Sequence, residues 1–306
     1  MPTSKKFPAA HVINYDERLF LIDCGEGTQI QLRKYKYRFA KLNHIFISHL
    51  HGDHIFGLPG LLSTLSLLGR KQPLYLYGPT GLETWIKTVL GTIHADLNYP
   101  LIVTVVEGNM PIKIVENKQL EIYSFPLKHS IECYGYLIKE KALPLNISKA
   151  TIMNYKLSID EIKAIKEGSD YFDPIANNRI PNSSMCLPAF LPRSYAYCSD
   201  TALKTELGDW LHGTDIIFHE STFMEKDRKL ANDTHHSTTA DAAQIATLAK
   251  CKQLLIGHIS LRYTNMEEIL AETQAIFPDV TLVIDGDEFE IKQIRKGEGF
   301  TNNSAI

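Results

Sequence analysis

The sequence contains no apolar run that is long enough to cross a lipid bilayer. A membrane-spanning helix needs about 18 or more consecutive apolar residues, and the most apolar stretch, Leu58–Leu68, is shorter and includes two serines and a threonine. The N-terminal sequence MPTSKKFPAAH also lacks the apolar core of a secretory signal peptide. We therefore expect neither a transmembrane helix nor secretion.

Paired cysteines are also missing. The five cysteines are scattered and form no CxxC motif, so neither a disulfide framework nor a cysteine-based zinc site is indicated. An odd number of separated cysteines is typical of buried free thiols in a reducing compartment. The expected location is therefore the cytoplasm.

The chain has no large excess of positive charge. Its formal net charge is −3, with 12 histidines counted as neutral, so a nucleic-acid partner would need a local basic patch. The composition, 44% hydrophobic and 22% charged among 306 residues, is that of a globular protein with a large core. Because no Pro/Gly/Ser-rich linker or repeat interrupts the chain, we predict one domain over residues 1–296 and a flexible tail over 297–306.

The order of predicted elements favours an α/β fold with two mixed sheets packed face to face and helices outside. Strands are predicted at 19–22 and 44–48, a helix at 29–40, and a hairpin at 280–291 across Asp285-Gly286. Since the ends of neighbouring strands meet at one edge of a sheet, polar residues placed there should lie close together. Such residues follow several strands, namely Asp23, His49, Asp200, His219 and His258.

The most informative segment is HLHGDH, residues 49–54. His49 and His51 alternate along an extended backbone and so can face one metal ion, while Asp53 and His54 turn towards a second position. Gly52 permits the tight turn between them. Imidazole and carboxylate groups suit Zn²⁺, although Mn²⁺ and Fe²⁺ accept the same ligands. The alternative is that these histidines are ordinary polar groups of a loop.

These residues and several other motifs along the chain resemble ribonuclease Z of the metallo-β-lactamase superfamily, the endonuclease that removes the 3′ trailer from precursor tRNA. The resemblance covers residues 3 to 292 and implies the αββα four-layer sandwich. The motifs that carry it, in chain order, are Leu21–Gln29, His49–His54, Phe125–His129, Tyr134–Tyr136, Ser199–Thr201, His219–Thr222, His236–Thr238 and His258–Tyr263.

The resemblance also implies a two-zinc site. It assigns His49, His51 and His129 to one ion, Asp53, His54 and His258 to the other, and Asp200 to both. Two ions about 3.5–4 Å apart can stabilise the attacking and the leaving oxygen of an in-line displacement.

The same resemblance assigns roles in the chemistry. Asp53 would orient the attacking water, and His236, held by Glu220, would donate a proton to the departing 3′ oxygen. A simpler role for Glu220 is to orient a metal-bound histidine. The family implies a homodimer that binds precursor tRNA and leaves a 3′ hydroxyl on the tRNA.

A basic segment is the candidate RNA-binding surface. Arg33, Lys34, Lys36 and Arg38 alternate with aromatic residues, and such a pattern can contact phosphates and stack on unpaired bases. The alternative is an ordinary amphipathic helix whose aromatic side chains pack inward. Arg262, close behind a proposed metal ligand, is a further candidate for a phosphate contact.

The sequence departs from the family pattern in two places. It begins where the family has an earlier strand and a Gly-rich turn, which leads us to expect an exposed sheet edge. The stretch from 143 to 192 lies where bacterial members carry a Gly-Pro-rich, tRNA-clamping arm, but it has no Gly-Pro dipeptide, and so is either a divergent arm or a long loop. Two other functions stay open: a small-molecule phosphodiesterase or aryl-ester hydrolase, and a non-catalytic RNA-binding protein with a relic site.

Overall fold

The computed structural model describes residues 6–297. These residues form two compact units: the first comprises 6–115, 122–138 and 195–287, and the second comprises 116–121, 139–194 and 288–297. Both units are built from separated stretches of chain, and the single domain expected over 1–296 stays a prediction. Apart from Gly297, the expected flexible tail lies outside the described residues. Within them, no helix has the length and apolar character needed to span a membrane.

The strands and helices of the described residues follow one another along the whole chain. The strands are β1 His11–Tyr15, β2 Arg18–Ile22, β3 Leu42–Phe46, β4 Leu74–Gly78, β5 Leu101–Val105, β6 Ile112–Glu116, β7 Leu120–Pro126, β8 Tyr134–Glu140, β9 Asn146–Ile147, β10 Tyr171–Asp173, β11 Asn178–Ile180, β12 Cys186–Leu187, β13 Ser194–Cys198, β14 Ile216–Glu220, β15 Gln253–Gly257 and β16 Val280–Leu282. The α-helices are α1 Thr28–Lys34, α2 Gly52–Ile55, α3 Leu58–Leu67, α4 Leu82–Thr92, α5 Lys149–Tyr155, α6 Ile159–Lys166, α7 Asn182–Met185, α8 Leu207–Trp210, α9 Arg228–Thr234, α10 Thr239–Ala249 and α11 Met266–Gln274, and short 3₁₀ turns lie at Phe39–Lys41 and Glu225–Asp227.

Two large sheets organise the first unit. One has the strand order β1-β2-β3-β4-β5, with an antiparallel pair β1–β2 followed by parallel pairs. The other has the order β16-β15-β14-β13-β8-β7-β6, and its strands from β13 to β16 are parallel neighbours. The prediction of mixed sheets flanked by helices is confirmed.

Side chains alternate along each strand, so that one side of each sheet packs against helices. Leu21 and Ile45 pack with Leu61 and Leu62 of α3 in one buried cluster. On the other sheet, Ile217 and its neighbours pack with α10, whose alanines allow a close approach. Each large aliphatic side chain buried in this way contributes about 1.5–3 kcal/mol.

The opposite sides of the two sheets meet through aromatic residues. Phe46 of β3 lies 5.2 Å, centroid to centroid, from Tyr136 of β8. His11 of β1 packs edge-on against Tyr197 of β13 and Phe218 of β14, at 4.7 and 4.3 Å. Because both sheets are covered by helices on their outer sides, the first unit has the four layers that were predicted.

The second unit has a small core of its own. Leu157, Ile165, Tyr171 and Met185 form a buried cluster. Helix α6 begins with a capping box in which Ser158 and Glu161 exchange hydrogen bonds, a device that stabilises a helix start. The stretch from 143 to 192 is therefore folded, and its role as a tRNA-binding arm stays a prediction.

Two sequence predictions differ from the structure, and one strand was not predicted. The hairpin over 280–291 is wrong: in the described residues, β16 pairs in parallel with β15 and no second strand follows. The helix over 29–40 ends at Lys34, because the chain turns at Lys36, with φ 61°, before Phe39 enters the core. Strand β1 was missed because its turn, Asp16-Glu17, adopts positive φ without the usual glycine.

Candidate metal centre

Five of the seven proposed metal ligands follow strands of the first unit, and the other two lie in a short helix. His49 and His51 follow β3, Asp53 and His54 belong to the short helix α2, and His129 follows β7. Asp200 follows β13 and His258 follows β15. The ends of these strands and the start of α2 bring the side chains together, as the position of polar residues at strand ends predicted.

The first group of side chains converges around one position. His49, His51, His129 and Asp200 each offer one ligand atom, and these atoms lie within 4.8 Å of one another. The Nδ1 atom of His51 is 3.1 Å from Nε2 of His49 and 3.2 Å from Nε2 of His129. The arrangement therefore surrounds a space that one cation would fill.

The second group lies beside the first and shares Asp200 with it. Asp53, His54 and His258 offer ligand atoms within 4.8 Å of one another. The Oδ1 atom of Asp200 is 3.6 Å from Nε2 of His54 and 3.6 Å from Nε2 of His258, whereas Oδ2 is 3.6 Å from Nε2 of His49. The two carboxylate oxygens thus face different groups, which is the geometry of a bridging ligand.

Two buried polar atoms at this centre have no hydrogen-bond partner in the described residues, Nε2 of His54 and Oδ1 of Asp200. A buried polar atom without a partner costs about 1–3 kcal/mol. Burial alone would raise the pKa of Asp200, but the charges of His258 and His54 lower it well below its usual range. An anionic oxygen and an unpaired imidazole nitrogen that face the same space fit a divalent cation.

A second layer of hydrogen bonds orients the imidazole rings. The Nδ1 atom of His54 donates to Asp23 at 2.8 Å, and that of His129 donates to the carbonyl of His235 at 2.9 Å. Thr222 donates its hydroxyl to Glu220 and therefore accepts from Nδ1 of His258, at 2.8 Å. Because Nδ1 carries the proton in each case, the lone pair of Nε2 points at the centre.

Asp23 supports the centre without being a proposed ligand, and its signal in the sequence was its position directly after a strand. Its fully buried carboxylate accepts hydrogen bonds from the amide and hydroxyl of Ser48, from His54 and from the hydroxyl of Tyr197. The backbone of Asp23 has φ 59°, as does that of His258. Such strained conformations cluster at functional sites.

Glu220 and His236 form the pair that the resemblance implies. Nδ1 of His236 donates to Oε1 of Glu220 at 2.9 Å. Glu220 is completely buried, and it also accepts hydrogen bonds from Thr201, Ser237 and Thr222. Burial alone would lower the pKa of His236, but the hydrogen bond and charge of Glu220 raise it. Glu220 therefore orients His236 directly and reaches His258 through Thr222.

The remaining strand-end histidine, His219, does not join the centre. It is buried, and its Nδ1 contacts the carbonyl of Glu220 at 2.6 Å. None of the ligand groups found in the described residues includes it.

The cations of the basic segment are exposed, whereas its aromatic residues are not free. Arg33, Lys34, Lys36 and Arg38 all face solvent. Phe39 is buried in the core, Tyr37 packs against the same cluster, and the hydroxyl of Tyr35 donates to the carbonyl of Asp285 at 3.2 Å. The aromatic residues therefore pack against the protein, as the alternative of an ordinary amphipathic helix expected, and are not free to stack on bases.

Arg262 lies near the centre with its guanidinium partly held. Its Cζ atom is 5.0 Å from the ring centre of Phe223, and its Nη1 atom is 3.8 Å from Asp227. The side chain is 42% exposed, so the guanidinium remains accessible from solvent.

Comparison with known proteins shows the family of this chain. The chain is 43% identical to ribonuclease Z of Bacteroides fragilis over 282 residues, which cover 92% of each chain. The chain belongs to the ribonuclease Z family. A further ribonuclease Z, from Cytophaga hutchinsonii, is 39% identical over 290 residues, covering 95% of this chain and 92% of that protein. A family model described as Anti-Pycsar protein Apyc1 matches residues 2–157, so the first half of this ribonuclease Z family member also belongs to that family.

Solved structures establish the fold of this ribonuclease Z family member. Human tRNase Z, short form, superposes with a TM-score of 0.66 at 24% identity, covering 93% of this chain and 92% of the human chain. The metallo-β-lactamase fold protein YhfI from Bacillus subtilis superposes with a TM-score of 0.64 at 16% identity, with the same coverage. The predicted metallo-β-lactamase fold is confirmed.

Proposed function

We propose that this protein is a metal-dependent endoribonuclease that removes the 3′ trailer from precursor tRNA and leaves a 3′ hydroxyl on the tRNA. One observation supports this above the others. Two groups of ligand atoms share the carboxylate of Asp200 in a chain that aligns over nine-tenths of its length with ribonucleases Z.

Zinc is the cofactor that we propose for the two groups. His49, His51 and His129 would hold one ion, Asp53, His54 and His258 the other, and Asp200 both. The donor set of imidazoles and carboxylates is the one Zn²⁺ prefers, and the unpartnered atoms of His54 and Asp200 support it. When bound, two such ions neutralise the charge that develops on the phosphate in an in-line displacement.

Asp53 and His236 are the residues that we assign to proton handling. The carboxylate of Asp53 is about one-third exposed and lies 3.8 Å from Nε2 of His258, so it can accept a hydrogen bond from an attacking water. His236 is 16% exposed and is held at Nδ1 by Glu220, which leaves Nε2 free to protonate the departing 3′ oxygen. A proton donor of this kind contributes typically 10²- to 10⁴-fold to a rate.

We propose that exposed cations hold the RNA. Arg33, Lys34, Lys36 and Arg38 would contact phosphates as charged groups, since their aromatic neighbours are occupied by other contacts, and Arg262 would contact a phosphate near the centre. The folded stretch from 143 to 192 would act as the tRNA-binding arm, with a homodimer in the cytoplasm as the working form.

The experiment that tests the function is cleavage of a precursor tRNA transcript carrying a 3′ trailer. We expect one cut after the discriminator base, a tRNA product that ends in a 3′ hydroxyl, and no cut by Asp200→Ala. Hydrolysis of bis(p-nitrophenyl) phosphate without any cut at the tRNA–trailer junction would instead favour a small-molecule phosphodiesterase. Binding without cleavage of either substrate would favour the RNA-binding relic.

The same assay tests the basic segment. Replacing Arg33, Lys34, Lys36 and Arg38 by alanine should raise KM for precursor tRNA and reduce the salt dependence of binding, by about one unit of slope for each lost phosphate contact. Turnover of bis(p-nitrophenyl) phosphate should stay unchanged. Replacement of the exposed Lys87 by alanine is the control, and an unaltered KM in the quadruple variant would rule out this surface.

A further inference from the structure

The hydroxyl of Tyr263 closes a loop next to the centre. This hydroxyl accepts a hydrogen bond from the amide of Met224 at 3.0 Å and donates one to Oδ2 of Asp227 at 2.5 Å. Met224 and Asp227 stand at the two ends of the 3₁₀ turn Glu225–Asp227. One side-chain atom therefore fixes both ends of the turn. Burial and the bond to Asp227 raise the pKa of Tyr263 to about 12, so the hydroxyl keeps its proton and can donate it.

The segment that follows this turn leads directly to His236. Asp227 precedes α9, which ends at Thr234, and His235 then adopts φ 56°. The amide of His236 donates back to the carbonyl of Ala231 in α9 at 2.9 Å. The place where α9 begins therefore helps to set where the backbone of His236 lies, while Glu220 orients its ring.

The other end of the connection is the segment that carries His258. Tyr263 lies five positions after His258 in the sequence. The amide of Tyr263 donates to the carbonyl of Ser260, and the amide of Ser260 donates to the carbonyl of Thr222 at 3.1 Å. Phe223, which follows Thr222 in the chain, packs edge-on against His236, with 6.1 Å between ring centres. The Tyr263 hydroxyl thus ties the segment of the proton donor to the segment of a proposed metal ligand.

We propose that Tyr263 is a positioning residue, whose hydroxyl holds His236 at the distance from the centre that proton transfer to the leaving oxygen requires. The proposal rests on the role of His236 given under the proposed function. Tyr263 touches neither His236 nor any proposed metal ligand through its hydroxyl, and therefore acts through Asp227, Met224 and α9.

Two substrates with different leaving groups can distinguish a role in positioning His236 from a general role in stability. The 3′ oxygen of a ribose is a poor leaving group that needs a proton, whereas p-nitrophenolate leaves without one. A defect confined to the placement of His236 should therefore slow RNA cleavage and spare bis(p-nitrophenyl) phosphate. A general loss of structure would slow both reactions.

The test is the variant Tyr263→Phe, which removes the hydroxyl and keeps the ring. We expect kcat on precursor tRNA to fall about tenfold or more, since small displacements of a reacting group cost up to about 100-fold, with KM unchanged. Turnover of bis(p-nitrophenyl) phosphate should stay within about twofold of the parent, in keeping with a proton donor that this leaving group does not need. Zinc content and thermal midpoint are measured alongside.

Three further variants make the outcome decisive. His236→Ala shows how far RNA cleavage falls, relative to turnover of bis(p-nitrophenyl) phosphate, when the proton donor is absent. Tyr99→Phe is the matched control, because it removes a hydroxyl whose bond to the carbonyl of Leu62 lies within the core. A selective loss in His236→Ala without one in Tyr263→Phe would overturn this inference alone. Equal losses on both substrates in His236→Ala would overturn the proton-donor role itself. Asp227→Ala should reproduce the selective loss.

Discussion

A single buried carboxylate, Asp23, organises the deepest part of the centre. A buried charge is costly unless it is paired and hydrogen-bonded, and Asp23 accepts four hydrogen bonds, two of them from Ser48. The hydroxyl of Ser48 also lies 2.9 Å from Nδ1 of His49. One carboxylate therefore orients His54 directly and His49 through Ser48, one ring of each ligand group.

We expect Asp23→Asn to weaken metal binding and stability together. The amide would place a donor among groups that already donate, which leaves buried hydrogens without acceptors. Loss of such an outer-layer group typically lowers metal affinity about 10- to 100-fold, and breaking a buried pair costs about 3–5 kcal/mol. Zinc competition with a chromophoric chelator and urea unfolding of the metal-free protein measure the two effects.

Asp16→Asn is the control for this change, because Asp16 lies in the turn before β2 and its side chain is 74% exposed. It should leave zinc affinity and unfolding unchanged. If Asp23→Asn bound zinc as tightly as the parent, the orienting role of Asp23 would be wrong.

At the level of elements, α2 and α3 pack closely against the end of β2. The amide of Gly57 donates to the carbonyl of Cys24 at 2.9 Å, and the amide of Cys24 donates to the carbonyl of His54 at 2.8 Å. A Cβ atom at Gly57 would lie 2.0 Å from the carbonyl oxygen of Gly25. Only glycine lets the helix that carries Asp53 and His54 reach the strand end this closely.

Gly57→Ala should therefore destabilise the protein. Its φ of −77° suits any residue, so the cost is steric, about 1–3 kcal/mol for an overpacked contact. Gly91→Ala in α4 is the opposite case, because its Cβ would meet no atom within 4 Å, and it should stabilise by up to about 1 kcal/mol. Urea unfolding of the two variants should shift in opposite directions, and a shift in the same direction would contradict this account.

For the whole molecule, we expect metal binding and folding to be linked. The ligand groups draw on α2 and on the segments after β3, β7, β13 and β15, so ions bound there would connect both sheets of the first unit. A ligand that binds only the folded state stabilises that state. The gain is about 4 kcal/mol when the free ligand concentration is 1,000 times the dissociation constant. The unpartnered atoms of His54 and Asp200 would gain partners at the same time.

Removing the metal should consequently lower the thermal midpoint. If free zinc starts at about 1,000 times its dissociation constant, we expect the thermal midpoint to fall by roughly 10 °C when a chelator removes the metal. Differential scanning calorimetry measures this fall. Adding zinc should restore the midpoint, whereas magnesium, which prefers an octahedral shell of oxygens, should not. A midpoint that stayed constant while bound zinc fell to zero would show that the centre does not connect the two sheets through a metal.

Local patterns in the sequence determined most of the elements and the part of the site that is continuous along the chain. The HLHGDH segment predicted that His49, His51, Asp53 and His54 lie together, because alternation and a glycine turn act within a few residues. The capping box at Ser158 follows from equally short-range rules. Short runs of apolar residues predicted the strands at 19–22 and 44–48 for the same reason, and β2 and β3 lie there.

Tertiary structure decided which distant groups meet and which side chains stay accessible. The division of Asp200 between the two ligand groups, the central place of Asp23 and the tie at Tyr263 depend on strand order, which joins residues far apart in the sequence. The burial of Phe39 and the place of β16 at the edge of its sheet, paired with β15, were likewise decided by packing against other elements. Propensity and spacing act over a few residues, whereas burial and hydrogen-bond partners depend on the whole folded unit.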